Sequence, residues 1–353
     1  MLTQSCGKIV AGCAIGFVAC AAQAQSQVTL YGIADTGIFY QSKSTGNNGA
    51  IVGSLDGGEA PSLYGLEGKE DLGGGLTANF KLEGGFNTTS GQFGNSNGNM
   101  FGRNAYVGLS GVFGTVRAGL QFSPFFTAVV LNGDPRGGPN NGSLLPIYAD
   151  NFGITGLFDS NAIEYLSPQI AGFSGQVEYS PGGNPGSYLT NQRVSAMISY
   201  NRGPLAGDIA YYQARSTTNG QVTMEGRTVD IRYTFSTVQV AVAATNFRNT
   251  SQNPGTNVYV FDGGAYWHIT PTIGLNGAVY YSCDEATRQN QSTMVAMGVD
   301  YSLSKRTTLY GQIGYVQNRG TMGTGLNANA DGQLAGLPQG ATTTVNFGIK
   351  HFF

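Results

Sequence analysis

Few residues in this sequence are of a kind that makes or breaks covalent bonds. There are two histidines, His268 and His351, and four cysteines, Cys6, Cys13, Cys20 and Cys283. Neither histidine has partners at the spacing of a metal site or a catalytic base. Cys283 reads as a loop residue beside Asp284 and Glu285, whose charge disfavours a reactive thiolate. The run Gly73-Gly74-Gly75 opens no helix and lacks a Gly-Lys-Ser/Thr ending, so it reads as a turn and not as a phosphate cradle. A Ser/His/Asp enzyme is poorly served by two histidines, and no paired acidic motif stands out. The expectation is no enzyme, no cofactor and no metal. The chemistry left is that of fixed charge. Lys81 and Glu83, two residues apart, share a face with Thr77 and Asn79, while Leu76, Ala78, Phe80 and Leu82 take the opposite face. A charged face backed by an apolar one means that one side meets water. Lys81 and Glu83 read equally well as a solvated pair with no further role.

The elements that must carry such faces are strands. Residues 342–353 repeat the pattern: Val345, Phe347, Ile349, His351 and Phe353 on one parity, Thr344, Asn346, Gly348 and Lys350 on the other. Fifteen more strands are expected between 27 and 317, the first over 27–40 and the second over 59–72, sixteen in all, at about 20 residues per strand and connection, which suits tilted membrane-crossing strands. Connections alternate. Short ones lie at 73–75, 111–114, 202–204 and 236–237. Long polar ones lie at 41–50, 87–99, 180–190 and 318–341, and the longest, 123–158, carries Pro124, Pro135, Pro139 and Pro146. Charged residues are 11% of the chain, against about 25% in ordinary soluble domains. Glycine supplies 55 of 353 residues, tyrosine and phenylalanine 19 each. Few charges, many aromatics and alternating strands fit a closed barrel in a bilayer, where only closure leaves no backbone group unpaired. Lys8, the apolar run 9–22 and Ala22-Gln23-Ala24 read as a cleaved export leader over 1–24, with one barrel domain over 25–353. Weak lipoprotein-like sites end at Cys13 and Cys20. No long basic or acidic run supports nucleic-acid binding.

Several stretches resemble the general porins of Gram-negative outer membranes, of the betaproteobacterial type. They are 26–32 (Ser-Gln-Val-Thr-Leu-Tyr-Gly), 64–73 (Tyr-Gly-Leu-Glu-Gly-Lys-Glu-Asp-Leu-Gly), 103–109 (Arg-Asn-Ala-Tyr-Val-Gly-Leu) and the terminal Phe353. The resemblance covers essentially the whole chain after the leader. It implies an all-β, sixteen-stranded antiparallel transmembrane barrel, with short periplasmic turns and long extracellular loops. It implies homotrimers in contact with outer-membrane lipid and lipopolysaccharide, and passive diffusion of small polar solutes. It also implies a third long loop folded into the lumen, which gives 123–158 its role. Phe353 would be the signal read by the barrel assembly machinery.

The family sets basic wall residues opposite acidic loop residues. By resemblance the basic candidates are Lys69, Lys81, Arg103 and Arg117, and the acidic ones Glu67, Glu83, Asp134 and Asp150. With Arg103 turned to the lumen, Tyr106 and Gly108 would face lipid or a neighbour. Asp134-Pro135 is also an ordinary turn opening. The basic ladder is thinned here. Leu63, Leu120 and Phe158 stand where arginine is common, and Glu67 where lysine is. The expectation is a weakly cation-selective or nearly non-selective pore. The alternatives are a substrate-specific porin, with Phe125, Phe126 and Phe158 as an aromatic slide, and a surface adhesin barrel.

Overall fold

The computed structural model describes residues 27–45, 47–251, 255–327 and 337–353. The expected leader over 1–24 and the sites at Cys13 and Cys20 lie outside the described residues. The rest is one antiparallel sheet in which each strand pairs with the next, except that the second and third both pair with the first. The strands are β1 (Gln27–Gln41), β2 (Ile51–Asp56), β3 (Leu63–Gly73), β4 (Leu76–Gly85), β5 (Asn104–Gly111), β6 (Gly114–Gln121), β7 (Asp159–Leu166), β8 (Phe173–Ser180) and β9 (Arg193–Arg202). They continue as β10 (Leu205–Arg215), β11 (Val222–Phe235), β12 (Val238–Asn249), β13 (Thr256–His268), β14 (Ile273–Asp284), β15 (Gln291–Ser302), β16 (Thr307–Arg319) and β17 (Gly340–Phe352). β17 pairs with β1, so the sheet closes and leaves no free edge.

β1 pairs with β2 over one half and with β3 over the other. These two are therefore a single stave interrupted at 57–62, and the seventeen strands form the sixteen staves expected. The interruption was missed. The second stave was expected to begin at Glu59, after a loop over 41–50, whereas it begins at Ile51 and Glu59 lies in the break. Cys283, expected in a loop, pairs within β14 and β15.

Alternation decides which face meets which solvent. In β14 and β15, Leu275, Val279, Tyr281, Val295, Met297 and Val299 are exposed outside, while Asn276, Ala278, Tyr280, Met294 and Ala296 are buried inside. Among the described residues no helix is long and apolar enough to cross a membrane. All long connections leave one end of the barrel and all short ones the other. At the short end, Gly73, Gly74 and Gly75 hold φ of 83°, 61° and 79°, a left-handed run that side chains disfavour.

The last stave closes on the first at Gly32. Phe353 N–H donates to Gly32 O at 3.1 Å, and Gly32 N–H donates back to Phe353 O at 3.2 Å. A Cβ on Gly32 would lie 2.1 Å from the Phe353 ring and 2.7 Å from Leu63 O. Gly32→Val is therefore expected to disturb closure between the first and last staves. The share of heat-modifiable folded barrel on a semi-native gel should fall at least severalfold, and an unchanged share would refute this reading of Gly32.

Candidate pore constriction

The connection after β6 turns into the barrel. Ser123 Oγ accepts the Phe126 amide at 3.1 Å and starts a short helix, α1 (Pro124–Phe126), which runs on as a π-helical turn over Thr127–Asn132. Ser143 likewise starts α2 (Leu144–Phe152). The segment is held by a cluster of rings. Phe125, Tyr148 and Phe152 surround Phe247 of β12, with centroids 6.0, 5.7 and 5.1 Å away. Tyr212 of β10 completes the cluster, 6.0 Å from Phe125 and from Phe152. The wall is shaped to admit it: a Cβ on Gly226 of β11 would come within 2.4 Å of the Phe125 ring.

Polar anchors fix the second half of the loop. Arg136 Nε donates to Asn276 Oδ1 at 2.8 Å, and its Nη1 to the carbonyls of Asn141 and Gly142. Asn141 Nδ2 donates to Asn346 Oδ1 at 3.1 Å, and Asn140 Nδ2 to Gly57 O at 2.6 Å in the stave break. The described ends of the last long connection also turn inward. Leu326 and Leu337 are buried in the same inner cluster, and Gly142 N–H donates to Leu326 O.

The loop thus lies against the far wall, and one cluster of charged side chains lies on the near one. Glu83 is the hub. Its Oε1 accepts Arg103 Nε at 2.9 Å and Asn104 Nδ2 at 3.2 Å; its Oε2 accepts the Tyr31 hydroxyl at 2.7 Å and meets Lys81 Nζ at 3.1 Å. The Lys81 ammonium stands 5.3 Å over the Tyr31 ring, and the Arg103 guanidinium 5.4 Å over Phe122, at the root of the loop. Glu67 lies opposite Lys81, and Lys69 opposite Asn79, towards the short-turn end. One stave group further round, Arg117 binds Glu164 through Nε at 2.6 Å and Nη2 at 2.5 Å, and stacks 4.8 Å over Tyr106.

The structure therefore joins Lys81, Glu83 and Arg103, and places Glu67, Lys69 and Arg117 on the same inner wall. Two expectations need correction. Tyr106 and Gly108 face inward, not to lipid: Tyr106 carries Arg117, and Gly108 is buried. Arg103 precedes β5, so its side chain need not follow that strand's parity. Asp134 and Asp150 do not belong to the near-wall cluster. Asp134 is buried, accepts the Leu144 amide at 2.6 Å and the Arg136 amide at 2.8 Å, and faces the Tyr280 hydroxyl. Burial raises its carboxyl above the ordinary value and lowers the neighbouring Arg136 guanidinium, as expected of groups spent on holding the loop. Asp150, near the end of α2, accepts the Gly325 amide at 2.6 Å on the outer side.

Several inner charges escaped the sequence reading. Arg193 pairs with Asp159 where the loop rejoins the wall. Arg232 bridges Asp208 at 2.5 Å and Asp230 at 2.8 Å. Lys350 binds Glu59 at 2.5 Å. Asp262 and Asp300 have no ion-pair partner among the described residues; Asp300 accepts the Tyr266 hydroxyl, and both oxygens of the buried Asp262 accept nothing. Leu63, Leu120 and Phe158 pack into the interior, Leu63 and Phe158 buried and Leu120 against the loop cluster.

Comparison with known proteins agrees with this architecture. A profile described as "Gram-negative porin" matches residues 11–321. The outer membrane porin protein 32 of Delftia acidovorans is 31% identical, over 94% of this chain and 96% of its own. A solved anion-selective porin from Comamonas acidovorans superposes with a TM-score of 0.80 at 25% identity, covering 93% of this chain and all of that one. OmpT of Vibrio cholerae, in a trimer form, shares the fold with a TM-score of 0.69 at 16% identity, over 93% of this chain and 99% of its own.

Proposed function

This chain belongs to the Gram-negative porin family, and we propose that its channel is weakly cation-selective or nearly non-selective. The family and the closed barrel make it an outer-membrane porin channel, and its relatives are channels rather than enzymes. The ion preference is the finer question. A related porin is described as anion-selective. The observation that carries a different preference here is the pairing of the near wall. Lys81 and Arg103 are both bound to Glu83, and Arg117 is bound to Glu164. The thinned positions Leu63, Leu120 and Phe158 add no charge, while the buried, inward-facing Asp262 and Asp300 have no ion-pair partner among the described residues. Low-dielectric walls magnify such small imbalances in ion partitioning.

The constriction proposed is the slot between the loop 123–158 and the wall bearing Tyr31, Lys81, Glu83, Arg103 and Arg117. Glu67 and Lys69 would line its approach from the short-turn end. An aromatic slide is not supported: Phe125, Phe126 and Phe158 are buried within the loop core. The apolar outer faces support contact with lipid and lipopolysaccharide and a homotrimer, the form in which OmpT of Vibrio cholerae, similar in fold, was solved. Phe353 is proposed as the signal for the barrel assembly machinery, and 1–24 as a leader removed on export.

Reversal potentials of single channels in a KCl gradient test the ion preference. We expect a potassium preference of no more than about threefold, since exposed and paired charges differ little in net effect. A clear chloride preference would overturn it.

A further inference from the structure

A second polar cavity, of about 530 Å³, opens at the long-loop end, outward of the inserted loop. Its walls come from four places: the end of α2 with Asp150, the adjoining ends of β12, β13 and β14 with Asn249 and Asp284, the connection after β14 with Thr287 and Asn290, and residues 321–324 of the last long connection. Among the described residues no lysine, arginine or histidine lines it. Its size lies within the roughly 300–1,000 Å³ typical of small-molecule sites.

The two acids differ in how far they are committed. Asp284 accepts the amides of Asn257 and Ala286, at 2.9 and 3.0 Å, and the Asn290 side chain at 3.4 Å. It braces the wall. Asp150 accepts one hydrogen bond, through Oδ2 from Gly325, and its Oδ1 accepts none from the described residues; burial raises its carboxyl to about 8, so a cation bound beside it would favour the charged form at neutral pH. Asp150 also lies in the last turn of the nine-residue α2, where backbone carbonyls already present partial negative charge. A carboxylate there is unfavourable for the helix. It adds to a negative potential directed at the cavity, which a cation would relieve. The floor is firm: Asn151 Nδ2 donates to Ile147 O, and Asn249 Nδ2 donates to Asn151 O.

We propose that this cavity captures small polar solutes that carry an ammonium group before they enter the constriction. Asp150 binds the ammonium, and the asparagine and threonine side chains serve the solute's hydroxyl or amide groups. The inference rests on the channel reading, because it places the cavity on a solute's path. It concerns solute capture and is separate from the preference between simple ions.

Saturation-transfer NMR on the folded protein in detergent micelles tests it, with glucosamine and glucose as matched probes. Glucosamine should saturate and glucose should not. Asp150→Asn keeps an acceptor for the Gly325 amide, yet should weaken glucosamine binding about tenfold, the loss of one charge-assisted contact. Asp150→Glu should restore binding. Thr287→Lys, a change in a loop side chain, should weaken it independently of Asp150. Equal binding of the two sugars, or unchanged glucosamine affinity in both Asp150→Asn and Thr287→Lys, would overturn the proposal. Binding is read here without transport. Absence of conductance from the same samples would instead count against the channel reading.

Discussion

Glu83→Gln should turn the channel towards anions. Glu83 pairs with two cations at once, Lys81 at 3.1 Å and Arg103 at 2.9 Å, and offsets one of their two charges on the inner wall facing the loop. A glutamine keeps the side-chain shape and can still accept from Tyr31 or Asn104, so the barrel should survive. What changes is one unit of charge in the near-wall cluster. At an effective dielectric of about 20, a charge acting over about 10 Å is worth between 1 and 2 kcal/mol before salt screening. Salt screening leaves about 1 kcal/mol of this, which corresponds to a rise of about fivefold in the chloride-to-potassium permeability ratio, read as a displaced reversal potential. The displacement should shrink as salt is raised. If the reversal potential of the variant matched that of the parent at low salt, the near-wall cluster would not be the selectivity element.

Phe247→Ala should act on the loop and not on the charges. The Phe247 ring is wholly buried and touches Phe125, Tyr148 and Phe152. Removing a buried phenylalanine costs about 3–5 kcal/mol. The sixteen staves hold each other by backbone pairing, so most of that loss should fall on the seating of the loop. Open-channel current should become noisy, with brief closures, and the loop should become cleavable by added protease while the folded barrel persists on a gel. Quiet, ohmic openings with an uncut loop would show that the ring cluster is not what anchors it.

The barrel was legible because a two-residue period is an unambiguous signal when lipid demands an apolar face and the lumen a polar one. Residues 76–83 and 342–353 fall on the faces that their alternation predicts. The same rule contained more than was drawn from it. Asp208, Asp230, Asp262, Asp300 and Glu164 are charges inside strands, and inside a lipid-bound strand a charge must point inward. Tyr106 went wrong through extrapolation: Arg103 was assigned a parity although it stands just outside β5, where the chain has not yet entered the pleat. Asp134 and Asp150 were illegible for another reason. A long irregular segment has no period, and partners distant in sequence decide where its acids go: Tyr280 and the Leu144 amide for one, Gly325 for the other. The break at 57–62 left no trace either, because Glu59 and its neighbours are as polar as any turn.

That break bears on the order of assembly. Asn140 at the loop's tip is tied to Gly57 and Glu59 in the interrupted second stave, and the adjacent Asn141 to Thr344 and Asn346 in the last one. One end of this clasp is made early in the chain and the other only at its end. Until β17 has zipped to both β1 and β16, half of the clasp does not exist. The tip therefore locks last, so a pore of final width is a certificate that the cylinder has been completed.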